Sequence, residues 1–335
     1  MIIHVDYVWV DGLESPMIRS KTRVERVAVD EEGNFELPVS EWNFDGSSTE
    51  QATTSDSERV LSPQRVYQVS ESHYAVLCEV NLPNSDRTPH ESNFRRKLIE
   101  TISTLGDTGL WLGFEQEYFI TKSGKNILWP EDGLPINDTR YYCSSGGPIR
   151  ERSVIREHAT LCNRVGISVV GYNTEVSPGQ WEYQVFSKDA LKAADDLWMS
   201  RYLLQLVLET RELGVDWDPK PHPGWNGSGC HTNFSTSNMR EQGSEALFES
   251  IMERARASHR EDVTAYGSGN QARMTGQHET SDYDEFSYGI GSRNTSVRIP
   301  NGVVQSGWRG YAEDRRPASN CDPYRVAASV YRFSA

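Results

Sequence analysis

The stretch Gly113–Ile120, GFEQEYFI, follows the apolar run LWL and is rich in aromatic residues, a composition that favours a β-strand. Successive strand residues point to opposite faces, so Glu115 and Glu117 share one face with Phe119. The two carboxylates then lie about 7 Å apart, which is two rises along the strand. Two negative charges at this spacing need a partner, and this strand therefore predicts a site for cations. The opposite face carries Phe114, Gln116, Tyr118 and Ile120.

The composition is that of a globular protein. Of the 335 residues, 36% are hydrophobic and 24% are charged, and no run of about eighteen apolar residues is present that could span a bilayer. The amino terminus, MIIHVDYVWVDG, alternates like a strand and lacks the basic start and the cleavage site of a secretory signal. We therefore expect a cytoplasmic protein without a membrane segment.

The net charge and the cysteines narrow the class of function. A formal charge of −14 disfavours nucleic acid as a partner, because a phosphate backbone generally requires a basic surface. The five cysteines lie far apart and include no C-x-x-C pair, so neither a disulfide framework nor a zinc site is indicated. The excess acid is either solvated or concentrated where cations bind.

Changes of pattern divide the chain into two predicted domains, residues 1–84 and 85–335. The first reads as short strands, IIHVDYVWV, RVERVAV and YAVLCEVN, separated by turn residues. The segment FRRKLIETISTLG then has helical spacing and ends at Gly106. Beyond it, strands alternate irregularly with three helical segments that each stop at glycine: RSVIREHATLCNRVG, DALKAADDLWMSRYLLQLVLETRELG and SEALFESIMERARASHREDVTAYG. The predicted fold class is α+β, with a small β-rich domain first.

A second acidic pair lies in NTEVSPGQWEY, residues 173–183. If Pro178 and Gly179 form a two-residue turn, Glu175 falls directly opposite Glu182, where like charges destabilise a hairpin. Each pair alone is compatible with an ordinary exposed strand face. Two pairs of glutamates, each with mutual repulsion between its carboxylates, instead favour a cluster that binds hard cations. We infer Mg²⁺ with ATP, because Mg²⁺ commonly joins a few carboxylates to nucleotide phosphates.

Further polar groups follow a glycine-rich loop in GWNGSGCHTNFST, residues 224–236. The strand after the loop puts His231, Asn233 and Ser235 on one face. A lone histidine is more often structural, but one beside an amide and a hydroxyl is a better candidate for a ligand. The loop matches neither phosphate-binding fingerprint. The last third of the chain carries arginines whose planar forks suit carboxylate and phosphate oxygens, unless they are solvated: Arg273, Arg293, Arg298, Arg315 and Arg316.

Taken together, the motifs resemble glutamine synthetase of the eukaryotic type. The resemblance runs from about Trp9 to Tyr324 and rests on motifs that occur in family order: EWNFDGSST, GFEQEYF, EVSPGQWEY, WNGSGCHTNFST and HETS…SRNTSVRIP…YAEDRRPASNCDP. It implies a small amino-terminal β-grasp domain and a larger catalytic α+β domain with an antiparallel sheet, similar to the guanido kinases. It also implies a homo-oligomer, a decamer of two pentameric rings with active sites between subunits.

The resemblance assigns roles to individual residues, with two to three Mg²⁺ or Mn²⁺ ions per active site. One ion would be held by Glu117, Glu175 and Glu182, and a second by Glu115, His231 and Glu313. Glutamate would be bound by Asn226, Arg273 and Arg293, and the ATP phosphates by Arg298 and Arg315. The nucleotide pocket would be formed by Trp111, Asn233, Ser235 and Tyr311. The ammonium site would comprise Asp45, the proton acceptor, with Ser48, Tyr142 and Glu279, the last on a loop that closes over the intermediate.

The implied reaction is the ATP-dependent ligation of L-glutamate and ammonia through γ-glutamyl phosphate, from which water must be excluded. An organic amine is the alternative acceptor, although a bulkier amine would require part of the ammonium site to be cut back. A guanidino kinase is disfavoured because FDGSS would have no role in it. A catalytically inactive homologue is disfavoured because all six metal ligands are retained.

The chain also departs from the family pattern. It begins near the first strand, without the usual amino-terminal helix, and ends soon after DPYRV, which leaves the assembly geometry open. Phe186 and Lys188 lie where the family has glycine and small residues, and they could reshape the wall of the nucleotide site. Asp56-Ser57-Glu58 replaces Asn-Ser-Asp, and the loop CSSGGPIRERS is shorter than its counterpart.

Overall fold

The computed structural model describes residues 1–130, 139–146 and 151–335. The chain forms two compact units, residues 1–97 with 164–166 and residues 98–163 with 167–335. The boundary by packing falls after Lys97, whereas the domain boundary at residues 84 and 85 stays a prediction. The loop CSSGGPIRERS lies partly outside the described residues. Among the described residues, none of the helices combines the length and the hydrophobicity that a membrane span requires.

The first unit is built on one five-stranded sheet in the order β2-β1-β5-β4-β3. Its strands are β1 (Ile2–Val10), β2 (Ile18–Arg26), β3 (Trp42–Asp45), β4 (Glu58–Ser70) and β5 (His73–Asn81). Strands β1 and β5 are parallel, and the other pairs are antiparallel. Alternate residues of β1 face the core, because side chains along a strand alternate between faces. Ile3, Val5 and Tyr7 are fully buried there.

A one-turn 3₁₀ helix, Gly46–Thr49, follows β3, with Asp45 as its N-cap. The predicted strands IIHVDYVWV and YAVLCEVN correspond to β1 and β5. The predicted strand RVERVAV is misplaced, because β2 begins at Ile18 and ends at Arg26. Strand β2 is an edge strand with charged residues, and such strands lack the apolar pattern that identifies buried ones.

The second unit contains a nine-stranded sheet, whose main path is β12-β13-β14-β11-β6-β9-β8, with β7 and β10 also paired to β6. The strands are β6 (Trp111–Lys122), β7 (Lys125–Asn126), β8 (Val169–Thr174), β9 (Gln180–Ser187), β10 (Gly214–Asp216), β11 (Cys230–Ser235), β12 (Tyr288–Ile290), β13 (Val297–Ile299) and β14 (Ala312–Asp314). GFEQEYFI is thus part of the central strand β6, which is antiparallel to both β9 and β11. The predicted antiparallel catalytic sheet is confirmed.

Helices complete the chain: α1 (Phe94–Leu105), α2 (Arg152–Arg164), α3 (Ala190–Glu209), α4 (Ser237–Glu241), α5 (Glu245–Ala257), α6 (His259–Ala265), α7 (Asn270–Arg273), α8 (Asn301–Gln305) and α9 (Pro323–Ser334). Helices α3 and α9 pack together, and α3 also packs on β6 and β9. Helix α3 is buried on nearly all sides, and its buried polar residues Asp195 and Arg201 are hydrogen-bonded to Tyr324 and Gln116. The carboxylate-bearing sheet therefore has a rigid support.

Two helix predictions need correction. The long segment that begins at Ser244 forms two helices, α5 and α6, because Ser258 ends α5 and begins α6. Helix α3 ends at Glu209, not at Gly214. Glu212 has a φ of 56° and the Leu213 amide donates to the Leu208 carbonyl, so a non-glycine residue here takes the left-handed position that usually favours glycine after a helix.

Candidate active site

Strand register brings the predicted ligands onto one surface of the sheet. Glu115 pairs with His231 across β6 and β11, and Glu117 pairs with Glu182 across β6 and β9. Glu313 on β14 pairs with Asn233 on β11. Paired residues point to the same face of a sheet, so four strands contribute acidic or imidazole groups to one place. The predicted common face of Glu115 and Glu117 is confirmed.

These groups line a cavity of about 320 Å³. Its walls contain all six predicted metal ligands, Glu115, Glu117, Glu175, Glu182, His231 and Glu313. They also contain the predicted substrate and phosphate residues Tyr142, Asn226, Arg273, Glu279, Arg293, Arg298 and Arg315. Sequence reasoning missed five polar residues of the same walls, Asn173, Gln180, Gln184, His278 and Thr280. A single cavity thus joins carboxylates to arginines.

The Glu115–His231–Glu313 triad has ligand atoms within 4.8 Å of one another, and over the described ranges it is the one group of three with that spacing. Nδ1 of His231 lies 3.6 Å from Oε2 of Glu115 and 3.6 Å from Oε1 of Glu313. Burial, followed by the charge of Arg315, lowers the pKa of His231 well below its usual value. The imidazole is therefore neutral, which is the form that binds metal.

The other three predicted ligands are carboxylates in a largely buried cluster. Burial is the main cause that raises the pKa of Glu117 to about 7, of Glu175 to about 8 and of Glu182 to about 9. Repulsion from neighbouring glutamates adds to each pKa increase. Ionised carboxylates of this kind need a compensating cation, and oxygen donors suit Mg²⁺ or Mn²⁺. The donor set therefore fits divalent metal.

Polar neighbours orient these carboxylates. Oε2 of Glu117 accepts hydrogen bonds from the Gly229 amide at 2.9 Å and from Nε2 of Gln180 at 3.0 Å. Nδ2 of Asn173 donates to Oε1 of Glu175 at 3.0 Å, and Gln184 donates to Glu182. Such partners fix the direction in which a ligand points. Their sequence signal is weak, because Asn and Gln in strands have many other roles.

The predicted register of the β8–β9 hairpin is wrong. Glu182 lies opposite Asn173, and the Glu175 amide bonds to the Gln180 carbonyl at 3.0 Å. Gly179 has a φ of 82°, as in the third position of a type II turn. A type II turn does not match the twist of a tight two-residue hairpin. The two strands are therefore joined by a four-residue loop, residues 176–179, and the register is shifted by two residues. Both glutamates still line the cavity.

Two arginines already bind Glu313. Nη1 of Arg298 lies 2.9 Å from Oε2 of Glu313, and Nη1 of Arg315 lies 2.5 Å from Oε1. Arg315 also donates to the backbone carbonyls of Arg293 and Glu279 at 3.1 and 3.2 Å. The Arg293 guanidinium lies 3.6 Å from the Glu279 carboxylate. Arg315 thereby connects the sheet to the segment that carries Glu279.

Arg273 is buried and mostly committed to the backbone. Its Nη2 donates to the carbonyls of Arg315, Arg316 and Pro317, and its Nε donates to Asn270. Burial is the main cause that lowers the pKa of Arg273 to about 10, so it remains charged at neutral pH. A fixed cation at the cavity wall suits a carboxylate ligand. Arg316 lies elsewhere, in a buried cluster with Asp314 and Asp262.

A second cavity of about 500 Å³ adjoins the first, and Glu115 and Gln184 line both. The four residues predicted for the nucleotide pocket all line it: Trp111, Asn233, Ser235 and Tyr311. Arg240 also lines it, with the centre of its guanidinium 3.9 Å from the Trp111 ring centroid. The sequence did not identify Arg240, because nothing in SNMREQ indicates that α4 places this side chain beside Trp111, the first residue of β6.

Two predicted residues belong to the first unit. Asp45 accepts hydrogen bonds from the Ser47 hydroxyl at 2.7 Å and the Ser47 amide at 2.9 Å. These bonds lower the pKa of Asp45, so the side chain is ionised. Ser48 is exposed. All lining residues of the carboxylate cavity belong to the second unit, so the ammonium role of Asp45 and Ser48 stays a prediction.

The fold and the cavities define the class of protein: an α+β protein with a carboxylate–histidine cluster suited to metal, beside an arginine-rich wall and an aromatic pocket. Comparison with known proteins makes the assignment specific. The family model described as the glutamine synthetase catalytic domain matches residues 92–262, and the chain belongs to the glutamine synthetase family. The predicted enzyme class, glutamate–ammonia ligase, is confirmed at the level of this family.

Similar proteins cover nearly the whole chain. The glutamine synthetase of Bradyrhizobium diazoefficiens is 39% identical over 98% of this chain and 95% of its own. That of Yarrowia lipolytica is 41% identical, with 96% and 87% covered. The probable glutamine synthetase of Caenorhabditis elegans is 40% identical, with 98% and 90% covered. The predicted resemblance to the eukaryotic type is confirmed, and the family generally depends on ATP and a divalent metal.

Proposed function

We propose that this chain condenses L-glutamate with ammonia to form L-glutamine through γ-glutamyl phosphate, at the cost of ATP. The observation that carries the proposal is the joining of two cavities by Glu115 and Gln184. One cavity has the acids and arginines that phosphoryl transfer requires. The other has the aromatic walls that suit a nucleoside.

The six ligands would hold divalent cations, Mg²⁺ or Mn²⁺, whose chemistry is to neutralise charge on the phosphoryl group and to polarise it. The arginines of the chain would add further positive charge around the phosphoryl group. Arg298 and Arg315, which bind Glu313, have guanidinium forks suited to phosphate oxygens. Arg273 and Arg293 would bind glutamate beside them. Fixed positive charge favours the transition state, in which negative charge spreads over the transferring oxygens.

In the first step, a γ-carboxylate oxygen of glutamate forms a bond to the γ-phosphorus of ATP, and ADP leaves. In the second, ammonia attacks the carbonyl carbon of the acyl phosphate, the bond from this carbon to the phosphate oxygen breaks, and inorganic phosphate leaves. Ammonium must lose a proton before it can attack. Asp45 would bind the ammonium cation and accept this proton, with Ser48, Tyr142 and Glu279 around it. Tyr142 and Glu279 line the carboxylate cavity, and both contact Arg293.

Assembly would complete the site. We propose a homo-oligomer, a decamer of two pentameric rings, in which the unit that carries Asp45 and Ser48 contributes to the cavity of a neighbouring subunit. A cytoplasmic location is part of the same proposal. Mass measurement by light scattering tests the decamer, and a monomer with full activity would contradict it.

The experiment is ATP-dependent phosphate release with glutamate, offered ammonium, hydroxylamine and a panel of small primary amines. We expect glutamine as the product and ammonium as the best natural acceptor, because the ammonium residues carry no substitution that would make room for a larger amine. Efficient turnover of an amine, with glutamine formation at background, would transfer the assignment to a γ-glutamyl amide ligase. Glutamate-independent ATP hydrolysis alone would contradict both.

A further inference from the structure

The aromatic cavity has a wall formed by Trp111 and Phe186. Their ring centroids lie 6.0 Å apart, and the ring planes make an angle of 80°, an edge-to-face arrangement that aromatic pairs favour. Phe186 is only half-buried, although it belongs to the inner strand β9. The ring therefore presents apolar surface to the cavity, not to the protein core.

Trp111 is already engaged by cations. The Arg240 guanidinium lies over its ring at 3.9 Å from the centroid, and Nζ of Lys188 lies over it at 4.7 Å. Cations bind to the face of an aromatic ring. Arg240 is in turn fixed by donating to the Gly109 carbonyl at 2.8 Å. A flat ligand in this cavity consequently finds Trp111 partly occupied, and Phe186 is the aromatic neighbour beside it.

The backbone holds Phe186 firmly. Phe186 pairs with Gly113 of β6, and its amide donates to the Ser168 carbonyl at 3.0 Å. Gly113 has no side chain, and a Cβ at that position would lie 3.8 Å from Cδ2 of Phe186 and 3.6 Å from Cβ of Asn233. The ring thus lies beside bare strand backbone, with open cavity next to it. A rigid aromatic group of this kind costs little entropy on binding.

We propose that Phe186 positions the nucleotide in this enzyme by stacking against its base, an inference that rests on the proposed function. The connection to the carboxylate cavity through Glu115 and Gln184 gives the ligand one charged end and one flat apolar end. Purine nucleoside di- and triphosphates have this shape. Base–aromatic stacking contributes about a five- to hundredfold factor in affinity, and it does not depend on the edge of the base.

The test compares Phe186→Leu, which keeps an apolar side chain, with Phe186→Tyr, which keeps the ring. Binding of ADP, IDP and inorganic tripolyphosphate is measured by calorimetry with Mg²⁺ present. We expect Phe186→Leu to lower the affinities for ADP and for IDP by the same factor, about tenfold, and to leave the affinity for tripolyphosphate unchanged. The KM for ATP should rise while kcat stays nearly constant. Phe186→Tyr should bind as the unaltered protein does.

A matched control separates stacking from folding. Phe286→Leu removes a ring that contacts His259 and lines neither cavity, and it should not change ADP affinity. Equal ADP affinity in Phe186→Leu and the unaltered protein would overturn the stacking inference and leave the proposed function intact. A lower unfolding temperature in that variant would then show that the ring only covers Gly113. Equal weakening of ADP and tripolyphosphate would also overturn it. Failure of the unaltered protein to bind any nucleotide would overturn the proposed function as well.

Discussion

Glu117 shows how much of the environment of one residue can be predicted from the sequence. The two-residue period of a strand is enough to predict that Glu115 and Glu117 share a face. It cannot predict that the Gly229 amide and Gln180 hold Oε2 of Glu117, because those contacts depend on strands far away in the chain. Burial in turn raises the pKa of Glu117 to about 7, which no local pattern reveals.

Replacing Glu117 with glutamine should separate folding from metal binding. Since burial favours the uncharged form, we expect Glu117→Gln to unfold at the same denaturant concentration as the unaltered protein, or a higher one, at pH 8 without metal. Mg²⁺ affinity should fall at least tenfold, and turnover should be lost. Denaturation and calorimetry measure the two effects. Glu249→Gln, on the exposed face of α5, is the control, and metal affinity unchanged in Glu117→Gln would contradict the ligand role.

Asp45 allows the two chemical steps to be separated. Asp45→Asn keeps a side-chain acceptor for the Ser47 amide but removes the charge that would bind ammonium. We expect glutamine formation to slow about a hundredfold or more, within the range typical of lost acid–base catalysis, while glutamate-dependent ADP formation remains measurable. Rapid-quench analysis distinguishes the steps. Asp86→Asn, an exposed change in the same unit, should have no effect, and equal loss of both steps would refute the assignment.

At the scale of elements, patterns predicted the existence of most helices and strands better than their ends. The sequence pattern does not predict strand β4, because Pro63 and bulges near Pro63 and Gln68 interrupt its alternation. The sequence pattern predicts too late an end for helix α3, because the left-handed conformation of Glu212 has no signal in the sequence. Turn type decided the hairpin register, since the type II preference of Pro-Gly excludes the tight hairpin.

The turn at Gly179 should be a sensitive point of the site. A Cβ there would lie 2.2 Å from Oδ1 of Asn126, and its φ of 82° disfavours any L side chain. We expect Gly179→Ala to lower the free energy of unfolding by about 1–3 kcal/mol and to weaken metal binding through Glu175. Gly124→Ala is the matched control, because Gly124 has a φ of 75° but no atom within 4 Å of the added Cβ. Equal losses in both variants would mean that the Asn126 contact is irrelevant.

At the scale of the whole molecule, the acidic cluster makes stability depend on pH. The folded-state pKa values of Glu117, Glu175 and Glu182, about 7, 8 and 9, lie above the ordinary glutamate value. Between about pH 4.5 and 9 the metal-free folded state therefore holds more protons than the unfolded state, so its stability falls as pH rises. His231, with a lowered pKa, contributes in the opposite direction, but only below about pH 6.5.

We expect the free energy of unfolding of the metal-free protein to decrease from pH 5.5 to 8.5, with each pKa unit of displacement worth about 1.4 kcal/mol. Saturating Mg²⁺ should flatten this dependence, since cations bind the deprotonated carboxylates and release their protons. Denaturant titrations at fixed pH, with chelator or with Mg²⁺, measure it. Stability that rises with pH in chelator would contradict the cluster's protonation.

The two joined cavities are proposed to couple ATP to the amidation of glutamate by ammonia. The most direct measurement is the stoichiometry of glutamine, ADP and phosphate formed from glutamate, ATP and ¹⁵N-ammonium, with Mg²⁺ present. We expect one ¹⁵N-labelled glutamine for each ADP and phosphate, and no product when glutamate is omitted. ADP formation without labelled glutamine, whichever acceptor is then found, would contradict it.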